Sequence, residues 1–96
     1  KDFVVHRLTG TLATDPSDAS GTDPFDQTTG EWSPLLLEAA GISPDVLPPV
    51  VPSTTLVGGL TPAAAAHTGL RAGTPVVLGG GDGPMAAVGA GVITPD

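Results

Sequence analysis

One carboxylate stands between a glycine run and a Gly-Pro in Thr74-Pro75-Val76-Val77-Leu78-Gly79-Gly80-Gly81-Asp82-Gly83-Pro84. Val76, Val77 and Leu78 are continuous rather than alternating, the pattern of a strand buried on both faces of a parallel sheet. The glycines allow a sharp turn and let a ligand approach the backbone. Pro84 suits the first turn of a helix, where its missing N–H is no loss. Asp82 is thereby set beyond the carboxyl end of a strand and ahead of a helix N-terminus. Ligands of open α/β sheets bind there, and the helix dipole favours an anion. Such a carboxylate can take a proton from an attacking hydroxyl. It can also do no more than stabilise the helix start.

Other residues offer weaker chemistry. Gly79, Gly80 and Gly81 suggest a phosphate cradle, but no Lys follows to complete a Walker-type loop. Turn geometry, or close approach of backbone and ligand, is the better reading. Asp15 and Asp18 could share a cation. Their turn-rich setting favours Asx-type bonds to nearby backbone N–H groups instead. His6 and His67 lack metal-ligand spacing and read as surface or helix-end residues. Trp32 offers a stacking face, but with so few aromatics in the chain it reads as a buried anchor for the following helix.

The elements that must position these residues follow from punctuation. Asp2 to Leu8 reads as a helix with an apolar stripe of Phe3, Val4 and Leu8, stopped by Gly10. A polar turn runs from Thr11 to Asp23, and Phe25-Asp26 followed by Thr28-Thr29-Gly30 reads as a short extended piece and a turn. Ser33-Pro34 starts a second helix that Gly41 closes. Pro44 to Pro52 is expected to be extended along a surface, inside a domain rather than between domains. Thr54 to Leu60 reads as a short edge strand. Thr61-Pro62 starts a third helix that ends at Gly69. The last helix covers Met85 to Ala90, with Gly89 and Gly91 permitting close packing.

Composition bounds the possibilities. The 96 residues make one small domain or part of a larger one. Lys+Arg number 3 against 10 Asp+Glu, a formal charge of −7, which argues against nucleic acid or an anionic membrane as the main partner. With no cysteine, a disulfide framework and a thiolate metal site are excluded. No apolar run is long enough for a bilayer and no signal peptide is visible, so cytoplasmic is the default reading. Aromatics are only 3%, few for filling a core alone, and the chain both begins and ends against a helix, so its ends read as cut.

The serial order of several segments carries a resemblance. They are Leu8-Thr9-Gly10, Thr14 to Thr22, Phe25-Asp26, Glu31-Trp32-Ser33, Leu36 to Ile42, Leu47 to Val50, Gly69 to Val77, and Gly79-Gly80-Gly81-Asp82. In that order the chain resembles the FGGY carbohydrate kinases, and within them the xylulokinase-like branch. The resemblance implies an α/β fold, a fragment of an actin-like (ribonuclease-H-like) ATPase domain. It implies that residues 1–96 form the C-terminal portion of the N-terminal, sugar-binding domain, without a complete second domain.

The function so implied is transfer of the γ-phosphoryl of ATP to a sugar hydroxyl with Mg2+, D-xylulose to D-xylulose 5-phosphate being the first expectation. Asp82 would be the catalytic base and would contact the sugar. Gly83 would be a sugar-contacting position, although typical xylulokinases carry Asn there. ATP and Mg2+ would be bound mainly outside this chain, which alone is expected to be inactive. The partners implied are a small sugar and ATP, with neither nucleic acid nor membrane, and a homodimer is compatible with the full-length protein. The alternatives are a non-catalytic sugar-binding or actin-like module, or an FGGY kinase for another pentulose, a polyol or a sugar acid. An Asp-x-Gly-Thr-type hairpin before this stretch and a Gly-rich ATP segment after it would decide for the kinase.

Overall fold

The computed structural model describes residues 1–94. Asp96, where the chain was expected to end close after a helix, lies outside the described residues. Helix α1 (Asp2–Thr9) stops at Gly10, whose left-handed φ of 79° a residue with a side chain would resist. The expected stripe of α1 is corrected. Phe3 and Val4 are exposed, and Val5 is the buried residue, with Leu8 half-buried one turn on. Val5 and Leu8 are three apart and share a helix face, which is the face turned inward.

A short helix α2 (Pro16–Ala19) is followed by the hairpin of β1 (Phe25–Asp26) and β2 (Glu31–Trp32), paired antiparallel with Phe25 opposite Trp32. Helices α3 (Pro34–Ala40) and α4 (Pro62–Thr68) start and stop as expected. The Ser33 and Thr61 side chains accept the Leu36 and Ala64 N–H groups. Pro34 and Pro62 occupy the first turns, and Gly41 and Gly69 close the helices in the left-handed conformation.

The Pro-rich segment is less extended than expected. It opens with a 3-10 turn (Pro44–Val46) and then pairs Val50 with Thr14 in a parallel bridge. Trp32 ties this segment down: its Nε1–H donates to the Pro48 carbonyl at 2.9 Å and its ring meets Phe25 edge-on. It is half-buried, and it anchors the Pro-rich segment as well as flanking α3.

The sheet departs most from expectation. Strand β3 (Leu56–Gly59) is present as expected, and β4 (Pro75–Val77) pairs with it antiparallel, Leu56 opposite Val77 and Gly59 opposite Pro75. Among the described residues this ribbon has two strands, so β4 is not the interior strand of a parallel sheet here. Val77 is 53% exposed and Val76 half-buried. The burial inferred from the apolar run is concentrated in Leu78, 2% exposed, one residue beyond the strand. Leu78 joins Val5 and Ala13 in the core, with Val51 and Val57 against them. Helix α1 lies along the ribbon and α4 along α1.

Helix α5 (Asp82–Gly89) begins earlier than expected, at Asp82 itself. Among the described residues a Cβ at Gly89 or Gly91 would meet nothing within 4 Å, so the close packing expected of them is not made there. The whole is a slab of 44 × 38 × 15 Å.

Candidate active site

The geometry around Asp82 begins with Leu78, seated in the core and donating its N–H to the Thr55 carbonyl. From there the chain turns at Gly79, whose φ is 76°, and the Gly79 N–H donates to the Ser53 carbonyl at 2.9 Å. Gly81 is buried and its N–H donates to Ser17 Oγ at 2.8 Å. Asp82 follows at the first position of α5, exposed, with Oδ1 accepting the neighbouring Gly83 N–H at 2.8 Å. The cap residue of α5 is Gly81, and Asp82 lies in the first turn, where a carboxylate also favours the helix start. Gly83 is exposed, and a Cβ there would have open space around it.

The glycine loop rests on the start of α2. A Cβ at Gly80 would lie 3.0 Å from Ser17 Oγ and from the Met85 methyl, and one at Gly81 would lie 3.0 Å from Asp18 Oδ1. These glycines permit a close approach, and what approaches is the protein's own α2 and the Met85 side chain of α5. With the Gly79 and Gly81 N–H groups both engaged, the loop is not a phosphate cradle.

Beneath it lies Asp15, fully buried. Its carboxylate caps α2, accepting the Ser17 and Asp18 N–H groups at 3.1 and 3.3 Å, so the Asx-type reading is the one observed. Oδ2 also accepts the Ser17 and Ser53 hydroxyls, each at 2.6 Å. Oδ1 pairs with Lys1 Nζ at 2.8 Å, and the same ammonium reaches Asp18 Oδ2 at 2.9 Å and Asp2. Burial pushes the Asp15 carboxyl up, but Lys1 and the two serines outweigh it and hold it well below the usual carboxylate range. Burial likewise depresses Lys1, while its bonds to Asp15, Asp2 and Asp18 raise it above the ordinary amine value. The cation shared by Asp15 and Asp18 is thus the chain's own ammonium. Their carboxylates are committed to it and do not fit a Mg2+ site, which would ask for oxygens facing water and phosphate.

The remaining candidates lie elsewhere. His6 and His67 lie in the last turns of α1 and α4, the helix-end places expected of them; His67 is exposed, and His6 is half-buried with Nδ1 buried and unbonded. Trp32 lines a recess of about 240 Å³ with Pro34, Leu37, Glu38, Ile42 and Pro44, away from Asp82. The sequence reading missed Lys1, Ser17 and Ser53. Only Ser17 left a local signal, as a hydroxyl in the first turn after an Asp-Pro start.

Residues 1–89 match the family model described as the FGGY family of carbohydrate kinases, N-terminal domain. The chain is 48% identical over 92 residues to an autoinducer-2 kinase of Klebsiella pneumoniae, covering 96% of this chain and 17% of that protein. Among solved structures it is similar to a xylulose kinase from Rhodospirillum rubrum, with a TM-score of 0.90 and 34% identity over 98% of this chain and 19% of that one. It is also similar to a gluconate kinase from Lactobacillus acidophilus, with a TM-score of 0.87 and 28% identity, covering 94% of this chain and 18% of that one. The fold is α/β, a fragment of the actin-like ATPase type. With the family model spanning nearly all of it, the chain belongs to the FGGY family of carbohydrate kinases, in their N-terminal domain.

Proposed function

We propose that the protein of which this chain forms part is an ATP-dependent carbohydrate kinase, with Asp82 as the base at the acceptor hydroxyl. Residues 1–96 are then the C-terminal portion of its N-terminal, sugar-binding domain. The observation that carries the reading is an exposed carboxylate at the first position of α5, on a loop fastened from below by buried groups. Phosphoryl transfer asks a protein mainly for positioning and charge stabilisation, and a carboxylate orienting the nucleophile is a recurring part. Asp82 accepts the hydroxyl proton as that oxygen bonds to the γ-phosphorus and ADP leaves. When bound, ATP would supply the phosphoryl group and Mg2+ would neutralise charge on it, both held mainly by residues outside this chain.

For the acceptor we favour autoinducer-2 or a compound like it over D-xylulose. Relatives named autoinducer-2 kinase are 47–48% identical to this chain, against 34% for the xylulose kinase structure. Gly83 supports the same choice, because it lacks the polar side chain expected of a xylulokinase at that position. Sites built around a hydrogen bond discriminate strongly when the partner is missing. The test is ADP release by the full-length enzyme with autoinducer-2, D-xylulose and gluconate as acceptors. We expect the highest kcat/KM with autoinducer-2, and Gly83→Asn, which has room for the side chain, should shift preference among them. A preference for D-xylulose would overturn the substrate reading, and ADP release with no acceptor of this class would overturn the kinase reading.

A further inference from the structure

We infer that Ser17 is a positioning residue for the reaction, setting the place of Asp82 through the Gly81 N–H; the inference rests on the reading of Asp82 as the base. Ser17 Oγ does two things at once. It donates to Asp15 Oδ2 at 2.6 Å and accepts from Gly81 N–H at 2.8 Å. The donor side is fixed by a carboxylate that is fully buried, charged, and paired with Lys1. The hydroxyl proton is therefore committed downward, and the oxygen lone pair that remains points to the loop. Charge-assisted bonds of this kind are the shorter and stronger ones, so Ser17 is held in one orientation.

Gly81 is the residue before Asp82, and it starts α5. A shift of its N–H would move both the Asp82 backbone and the axis of the helix that carries it. Steric contact acts in the same direction. A Cβ at Gly80 would lie 3.0 Å from Ser17 Oγ and from the Met85 methyl, so any larger residue there would press on Ser17 as well as on α5. Ser53 is the internal comparison. Its hydroxyl donates to the same Asp15 oxygen at the same 2.6 Å, yet that hydroxyl makes no bond to the glycine loop. Ser17 and Ser53 thus share a structural role at Asp15, and only Ser17 has a side-chain bond onward to the loop that bears Asp82.

The experiment uses the full-length enzyme and the acceptor it phosphorylates best. Ser17→Ala is expected to lower kcat on the order of 10- to 100-fold, the scale of losing an orienting contact or misplacing a group by about 1 Å. KM for ATP should not change. Ser17→Thr, which keeps the hydroxyl, should restore most of the rate. Ser53→Ala should lower Tm about as much as Ser17→Ala, with the smaller loss in kcat of the two. On an Asp82→Asn background, Ser17→Ala should cost little more, since residues acting as a unit are non-additive.

Equal kcat losses in Ser17→Ala and Ser53→Ala, or full additivity with Asp82→Asn, would overturn the positioning role. Should Ser17→Ala fail to fold, Gly80→Ala on a Met85→Ala background reads the Ser17 contact from the loop side, free of the equal contact with the Met85 methyl. A lowered kcat at unchanged KM for ATP supports the role, and a wild-type kcat refutes it. An Asp82→Asn enzyme that keeps its rate sinks the base reading and the positioning role with it. An inactive Asp82→Asn beside a fully active Ser17→Ala sinks the positioning role alone.

Discussion

Asp82 and Asp15 are the same side chain in opposite settings, and each setting makes its own prediction. Asp82 is exposed and bonded to the adjacent amide. Asp82→Asn should therefore leave Tm unchanged while removing a group that can accept the hydroxyl proton. Loss of a general base costs about 10²–10⁴-fold in rate, so steady-state kinetics should show a kcat lower by at least that order, with acceptor affinity changed much less. Asp15 is buried and ion-paired, and its folded-state carboxyl sits below the ordinary value of 3.8. A depressed carboxylate contributes stability in full above its unfolded pKa and loses it as pH falls toward the folded one. Denaturation midpoints should thus be flat from neutrality down to about pH 4 and fall below it. Asp15→Asn should cost about 3 kcal/mol at neutral pH, the low end for breaking a buried pair, since Lys1 keeps Asp2 and Asp18. The position of Asp82 at a helix start was legible, because glycines and a proline punctuate its loop. Lys1 and Ser53 were not, because a bond from Ser53 to Asp15 spans 38 residues and leaves no periodic mark, and Ser17 showed only its place in the first turn of α2, not its bond to Gly81 64 residues away.

Among elements, helices α1, α3 and α4 were the legible part, whereas α2 lies in what read as a polar turn. Ser33-Pro34 and Thr61-Pro62 state where a helix starts, Gly41 and Gly69 where it stops, and all of these are local requirements of unpaired backbone groups. The direction of strand pairing was not legible. An apolar run such as Val76-Val77-Leu78 reports that something is buried, but not which partner runs beside it or how. The ribbon also depends on a glycine that sequence alone did not single out. A Cβ at Gly59 would lie 3.1 Å from the Gly73 Cα and carbonyl oxygen, and backbone has no rotamer with which to yield. Gly59→Ala should destabilise by about 1–3 kcal/mol, as overpacking does. A denaturant titration would check it, and an unchanged midpoint would mean that the β3–β4 connection is more yielding than its spacing indicates.

The molecule as a whole is thin for its length. Its radius of gyration is 15.3 Å, against about 13 Å for a compact 100-residue domain. Leu35, Val46, Phe3 and Ile93 are each 70% exposed or more. A thin slab with large apolar side chains left in water has few partners of its own to cover them. The 96-residue chain by itself should bind a hydrophobic dye and self-associate at micromolar concentration, and it should not phosphorylate any acceptor. Sedimentation of a clean monomer without dye binding would show that the slab needs no cover.

The bond between Ser17 and Gly81 closes a stretch of 64 residues. Closing a loop costs chain entropy that grows with the logarithm of its length, and contacts of long sequence separation slow folding. The helices between the two residues answer to local signals and can form first. The seat of Asp82 therefore completes late, after α2 and the glycine loop have found each other across most of the chain. In refolding, far-ultraviolet helix signal should return before catalytic competence does. On the ribosome, α2 emerges well ahead of the loop it receives, so it must wait with Asp15 already made and its glycine partner still unsynthesised.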